Sequence, residues 1–239
     1  MLLIQMLTTS ILGLQFANIP LHELTKHYIP QRILTAPFTR LITVNPEIII
    51  QSSHSPHIMN LLQTGTCVAD GIGITLIHRL KYHTRLHRIP GIDLVTELTK
   101  SPYRIYIVGS TPKTLTKALQ NLAKQPCHII GSHHGFFPDH EEDRLIADIA
   151  ITAPDIVLVA MGYPKQELFL KKLENHLQNG IGIGIGGALD ILADTHKRAP
   201  KLIRTLGLEW AWRILIAPSR FRRLKWIAQV PTLFRQASY

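Results

Sequence analysis

A chain of 239 residues, 46% of them hydrophobic, has enough apolar side chain to bury one large domain or a domain with an appendage, which excludes a disordered chain. Its formal net charge of +10 is local: residues 197–239 hold ten of the 26 Lys and Arg and one acid, Glu209, while residues 1–196 carry 16 basic and 15 acidic side chains. So neutral a body argues against a nucleic-acid-binding protein, which would spread positive charge and stacking aromatics over it.

The apolar start, Met1 to Phe16, is interrupted by Gln5, Thr8, Thr9 and Ser10 and lacks the positive n-region of a signal peptide. It reads as an N-terminal strand behind an extension at 1–10 rather than as a membrane anchor. Leu41-Ile42-Thr43-Val44 predicts a strand, and Asn45-Pro46-Glu47 opens a helix running to about Gln63, with Pro at a first-turn position. Thr66 to Ala69 predicts the next strand, and Asp70-Gly71-Ile72-Gly73 turns into another helix. Arg104 to Val108 is a strand ending at Gly109-Ser110, Lys113 to Lys124 a helix, His128 to Ile130 a strand, 141–153 a helix, Asp155 to Ala160 a strand and Ile181 to Ile185 the last buried strand. Alternation of short β-branched runs with longer amphipathic ones predicts an α/β fold, a mostly parallel Rossmann-like sheet of about six strands with helices on both faces. No apolar run reaches the roughly 18 to 20 residues that span a bilayer. Cys67 and Cys127, each in a β-like run, suit buried free thiols in a reducing compartment and supply no metal quartet.

In such sheets the ligand crevice lies beyond the carboxyl ends of the strands. Those ends carry Thr43 and Asn45, Asp70-Gly71, Gly109-Ser110, Gly131 to Phe137, Met161 to Glu167, and Gly186-Gly187. Gly-rich turns let backbone amides approach phosphate oxygens, and helix N-termini add partial positive charge, so a nucleotide ligand is implied. The run Gly182-Ile183-Gly184-Ile185-Gly186-Gly187 comes late and has no acidic residue closing a following strand, so it predicts a closely packed strand and turn rather than a dinucleotide fingerprint. No Walker A lysine pattern is present. Asp70 closes an apolar strand ahead of Gly71 and stands at the rim, where a carboxylate can take a proton from a sugar hydroxyl. Capping the next helix is the competing reading. Asp93, Asp190 and Asp194 read as caps or local structural acids, and the His133-His134 pair as surface or supporting residues.

From Lys197 onward, cationic residues alternate with Phe, Leu, Ile and all three tryptophans, Trp210, Trp212 and Trp226. Indole at a boundary with Lys or Arg on phosphate suits a lipid headgroup layer or a lipid-linked diphosphate. A basic amphipathic helix pair packed on the domain would have the same composition. The chain therefore divides into an α/β core over 1–196 and a basic helical appendage over 197–239.

Eight stretches, in order from about residue 11 to 225, together resemble the WecG/TagA/CpsF glycosyltransferases: TVNPE at 43–47, VADGIGI at 68–74, RIPGIDL at 88–94, YIVGS at 106–110, GFFP at 135–138, VAMGYPKQE at 159–167, GIGGALDILADTHKRAP at 184–200 and GLEWAWRILIAPSRFRR at 207–223. The resemblance implies an inverting, metal-independent transfer of an N-acetylmannosamine-type sugar from a UDP-sugar to polyprenyl-diphosphate-linked GlcNAc, in bacterial surface polysaccharide or teichoic acid synthesis. No cofactor is expected. By matching position, Asp70 is similar to the family's proposed base, with Thr43 and Asn45 beside it. Arg88, Gly109, Gly135 and Gln166 correspond to the donor side. Arg213, Arg220 and Arg223 match arginines of an appendage thought to fold over the site at the membrane, on the acceptor diphosphate. A cytoplasmic protein, peripheral on the inner face of the plasma membrane, is implied, and homo-oligomerisation through surfaces shared with the appendage stays open. A non-catalytic membrane-surface module that binds a nucleotide sugar is the alternative. The chain departs from the family at Gly109-Ser110, where two glycines are frequent, at Ala193-Asp194, where one is common, and at Leu189, which replaces a frequent Phe. These leave loop detail and sugar selectivity open.

Overall fold

The computed structural model describes residues 7–195, 197–216 and 224–237, without the side chains of Arg213, Gln236 and Ala237. Eight strands form one sheet: β1 (Thr8–Ile11), β2 (Leu14–Ala17), β3 (Thr39–Val44), β4 (Thr66–Ala69), β5 (Arg104–Gly109), β6 (His128–His133), β7 (Ile156–Ala160) and β8 (Ile181–Gly184), in the order β1-β2-β4-β3-β8-β7-β5-β6. Only β1 runs antiparallel to its neighbour. The α/β reading holds, and the six internal strands are joined by two from the N-terminal stretch, which forms a hairpin through Leu12-Gly13 rather than the single strand expected and places Phe16 beside Cys67 of β4.

The connections are α1 (Leu21–Glu23), a π-helical turn (Leu24–Tyr28), α2 (Ile29–Thr35), α3 (Pro46–Ser53), α4 (Pro56–Gln63), α5 (Ile72–Tyr82), α6 (Gly91–Leu98), α7 (Pro112–Leu122), α8 (Asp139–Thr152), α9 (Lys165–Leu173) and α10 (Ala188–Leu192). The single helix expected from Asn45 to about Gln63 is two. Ser55 leaves the helical conformation and accepts from the Ile58 N–H, and Pro56 starts a new helix at its first position, where its missing N–H costs nothing.

The strands of the sheet's centre are buried on both faces. Leu41, Val68, Ile107, Leu158 and Ile183 point to one layer with α6, α7 and α10; Ile42, Val44 and Cys67, then Val108, Val157 and Val159, point to the other with α3, α5, α8 and α9. β8 explains the glycine run. Its isoleucines fill the first layer, while Gly182 and Gly184 face the second. A Cβ on Gly182 would sit 2.5 Å from Leu170 and one on Gly184 2.4 Å from Gln166, both on α9, so these glycines allow α9 to lie close on the sheet.

Arg40, 1% exposed, fixes the far end of that contact. Its guanidinium donates to the Leu61 carbonyl (2.8 Å), Thr64 Oγ1 (2.7 Å) and Glu174 Oε2 (3.1 Å), joining β3 to the C-terminal ends of α4 and α9. A cation there also complements the α4 dipole. Cys67 and Cys127 are buried free thiols, and burial pushes Cys67 up to about 12.

The C-terminal region is helical: α11 (Lys201–Thr205), α12 (Glu209–Ile216), α13 (Leu224–Ile227) and α14 (Val230–Ala237). Leu233 is buried against the α3–α5 layer with Trp226, Val230 and Phe234 packed around it, and Trp226 lies 5.7 Å from the His54 ring. Part of the appendage therefore packs on the body, while Leu202 of α11, Leu206 just after it, and Trp210 and Leu215 of α12 are exposed. Among the described residues no helix is long and apolar enough to cross a membrane.

Replacing Arg40 with Met removes three hydrogen bonds and leaves the Leu61 carbonyl and Glu174 without their buried donor. Urea unfolding is expected to show a loss of about 3 kcal/mol with an unchanged far-UV spectrum.

Candidate active site

Parallel register carries the last residues of β3 and β4 to the same height, Thr43 opposite Val68 and Val44 opposite Ala69. The pairing continues one step further, because the Asp70 N–H donates to the Val44 carbonyl at 2.8 Å. Asn45 and Asp70 thus leave the sheet side by side. Asn45 caps α3, its Oδ1 accepting from the Ile48 N–H at 3.0 Å. Asp70 does not occupy the cap of α5. That position is Gly71, at φ +91°, a conformation that an L side chain rarely adopts, and apart from its chain neighbours no atom of the described residues lies within 4 Å of where its Cβ would be. The carboxylate stands one residue ahead of the cap, half-buried beside open space. Gly73 meets the Pro46 ring, so the N-termini of α3 and α5 converge behind Asn45 and Asp70 and add positive potential there.

Thr43 is buried, and its hydroxyl donates to the Gly184 carbonyl of β8 at 3.2 Å. Arg88 continues the sheet beyond β4: it bridges Ala69, and the Ile89 N–H donates to the Ala69 carbonyl at 2.8 Å. Pro90 then opens α6, whose first residue, Gly91, lies against Thr43. The Arg88 guanidinium donates to the Arg204 carbonyl of α11 at 3.2 Å, tying the rim to the C-terminal region. Arg198 adds a second tie, with Nη2 at 2.6 Å from Asp93 of α6 and Nε at 3.9 Å from Glu209 of α12. Asp93 is thus the structural acid that the sequence suggested. So is Asp194, which accepts from Asn121 at 3.0 Å.

Thr43, Asn45, Asp70 and Arg88 form one group. Gly109 and Gly135 form another, across the crevice at the ends of β5 and β6. A Cβ on Gly109 would lie 2.5 Å from the Ala160 backbone, the Ser110 N–H donates to the Ala160 carbonyl at 3.0 Å, and the Gly135 N–H donates to the Ser110 carbonyl at 2.9 Å. Four strand spacings separate β4 from β5, about 19 Å at the usual inter-strand distance. His133 and His134 flank this second group, His133 Nδ1 donating to the His134 carbonyl at 2.8 Å.

Gln166 lies between the two groups, but not as an open ligand: it is 4% exposed. Its Oε1 accepts from the Gly186 N–H at 3.1 Å and its Nε2 donates to Glu167 Oε1 at 2.8 Å, so it pins the turn after β8. Glu167 was missed in the sequence. It is 2% exposed, its Oε2 has no hydrogen-bond partner among the described residues, and burial pushes its carboxyl up to about 7 against the opposing pull of the Gln166 bond and the Arg40 charge. A glutamate in the first turn of a helix ordinarily faces solvent, and only the close approach of α9 to bare Gly184 buries this one. Tyr163, pushed up to about 12 by burial, bonds Ser52 of α3 at 2.5 Å and closes the same layer. The backbone of Arg213 lies in α12, and Arg220 and Arg223 lie outside the described residues. Among the described residues no three His, Cys, Asp or Glu side chains are grouped to hold a metal ion.

The folded chain holds the Glu167 proton more tightly than the unfolded chain, whose carboxyl titrates near 4.5. Stability is therefore greatest below about pH 4.5 as far as this group is concerned and falls by about 3 kcal/mol as pH rises to 7. Urea midpoints between pH 4.5 and 8 are expected to decline with that contribution in the parent chain and to lose it in Glu167→Gln.

A sequence profile of the glycosyl transferase WecG/TagA/CpsF family matches residues 9–238. The N-acetylglucosaminyldiphosphoundecaprenol N-acetyl-beta-D-mannosaminyltransferase of Staphylococcus aureus (strain NCTC 8325 / PS 47) is 35% identical over 191 residues, 77% of this chain and 75% of the relative. The protein of that name from strain MW2 is 34% identical over the same length. With a matched profile over nearly its whole length and relatives at this identity, the chain belongs to the WecG/TagA/CpsF family and is a glycosyltransferase.

Proposed function

We propose that the enzyme transfers an N-acetylmannosamine-type sugar from a UDP-sugar to polyprenyl-diphosphate-linked GlcNAc, by a single inverting displacement without a metal ion, for a bacterial surface polysaccharide or teichoic acid. The observation that carries the reading is the placement of Asp70, level with Asn45 at two converging helix N-termini, beside the open space at Gly71. The names of the Staphylococcus aureus relatives supply the sugar and the acceptor.

In this scheme the Asp70 carboxylate takes the proton of the acceptor hydroxyl as that oxygen bonds to the anomeric carbon. The bond from the anomeric carbon to the UDP oxygen breaks on the opposite face, UDP leaves with the electron pair, and configuration inverts. Arg88, the glycine turns at Gly109 and Gly135, where the backbone leaves room for a close approach, and the Gly186 turn held by Gln166 serve the donor, whose nucleotide lies across the crevice toward β5 and β6. The separation of the two groups suits an extended nucleotide sugar. Developing negative charge on the leaving diphosphate needs fixed donors or cations, a task for the helix N-termini and the arginines. Arg213, Arg220 and Arg223 are assigned to the acceptor diphosphate, where the planar fork of arginine binds phosphate oxygens in pairs. The ties from Arg88 and Arg198 hold α11 and α12 beside the rim, which supports a peripheral enzyme docking its exposed leucines and Trp210 on the inner face of the plasma membrane.

The test is UDP release with a polyprenyl-diphosphate-GlcNAc acceptor and UDP-ManNAc, UDP-ManNAcA or UDP-glucose offered separately, with EDTA present. Release with one ManNAc-type donor, undiminished by EDTA and reduced about a thousandfold or more in Asp70→Asn, is expected. Full activity in Asp70→Asn removes Asp70 as base, and loss with EDTA removes the metal-independent scheme.

A further inference from the structure

Helix α5 carries two stripes. Ile74, Ile77 and His78 face the core, whereas Leu76, Arg79, Leu80 and His83 fall at i, i+3, i+4 and i+7 on another side. That second stripe, with Phe234 of α14, lines a cavity of about 500 Å³. Leu76 is 42% and Leu80 56% exposed, one turn apart on that stripe, so the pair presents hydrocarbon to the cavity. The volume suits a small-molecule site, and the lining is three apolar side chains with an arginine and a histidine. α5 starts two residues after Asp70, and Gly207 of the C-terminal region packs on Ile72 at that end. At 1.5 Å per residue, Leu76 and Leu80 lie about 6 and 12 Å along the helix from Ile72.

We propose that this groove between α5 and α14 binds the first isoprene units of the acceptor's polyprenyl chain, a subsite separate from the sugar and diphosphate positions. The inference rests on the reading of the acceptor as a polyprenyl diphosphate. A sugar hydroxyl placed at Asp70 leaves its lipid chain near the head of α5, and the groove lies further along the same helix, starting one turn on at Leu76. Arg79 lays its alkyl stem on the groove while its charge stays toward water or phosphate. Covering two half-exposed leucines with hydrocarbon draws the acceptor's chain from the bilayer only far enough to seat its head.

The experiment compares the parent enzyme with Leu76→Gln/Leu80→Gln, both positions being exposed enough to spare the fold, on undecaprenyl-diphosphate-GlcNAc in detergent and on a water-soluble short-alkyl analogue. The double variant is expected to raise KM for the long-chain acceptor about tenfold, with kcat and the short-chain KM unchanged. Equal shifts for both acceptors, or none, overturn the proposal. A diazirine-bearing polyprenyl diphosphate without sugar is expected to label α5 and α14 peptides in the parent and not in the variant. Labelling elsewhere overturns the groove. Groove labelling without transfer to any acceptor overturns the reaction instead and leaves the groove standing. If the variant loses binding to phosphatidylglycerol vesicles while its long-chain KM stays normal, the surface seats bilayer lipid and the proposal fails.

Discussion

Everything at the rim depends on the in-register parallel pairing of β3 with β4 on one side and β8 on the other. Ladder hydrogen bonds bring Val44 level with Ala69 and Ile42 level with Gly184, and one further bond from Asp70 to Val44 extends the ladder into the loops. Because the next residues on both strands start helices, a single alignment delivers a carboxylate, an amide and two helix N-termini to one place. A slip of one residue would turn Thr43 away from Gly184 and send Asp70 to the other face. The site is rigid for the same reason that the sheet is: its groups sit at strand ends, not at the tips of long loops.

The second constraint is buried charge along α9. Arg40 ties the C-terminal end of that helix to β3 through Glu174, and Glu167 with Gln166 ties its N-terminal end to the turn after β8. Both ends desolvate ionisable groups, which is a costly way to hold a helix but a specific one, since a displaced α9 would leave these groups without partners. The glycines of β8 make the approach possible. Packing and polarity here are one device: bare Gly184 admits the Gln166 amide, and the amide sets the Gly186 backbone at the crevice.

The departures from the family pattern have a backbone meaning. Ser110 and Asp194 both adopt left-handed conformations, at φ +59° and +52°, where glycine is comfortable and most side chains are not. Glycine at either position would meet the same turn without strain, and Asp194 offsets its own by accepting from Asn121. Leu189 is fully buried in the core beside α6 and α7, so a larger ring at that position is a matter of packing beneath the crevice. Of the two readings of its composition, packing on the domain holds for part of the appendage: α13 and α14 pack on α3 and α5, while α11 and α12 keep apolar side chains exposed.

Periodicity and punctuation in the sequence determined the α/β class, the six internal strands and the rim residues Thr43, Asn45 and Asp70, because buried parallel strands are continuous apolar runs and their ends are marked by Gly, Asn and Asp. The chain alone also identified β8 as a packed strand, since its glycines lacked the acidic partner of a dinucleotide site. Only the tertiary structure decided that the N-terminal strand is a hairpin, because the turn at Leu12-Gly13 lies inside one apolar stretch, and that the helix breaks at Ser55, where a cap and Pro56 restart it within the polar run Gln51 to His57. Burial of Arg40, Gln166 and Glu167 was likewise invisible, because long polar side chains belong on surfaces unless two distant elements close over them. Where α5 turns its second stripe was also a tertiary matter: a helix can state that it has two apolar sides, but only its neighbours determine which side is left to meet something else.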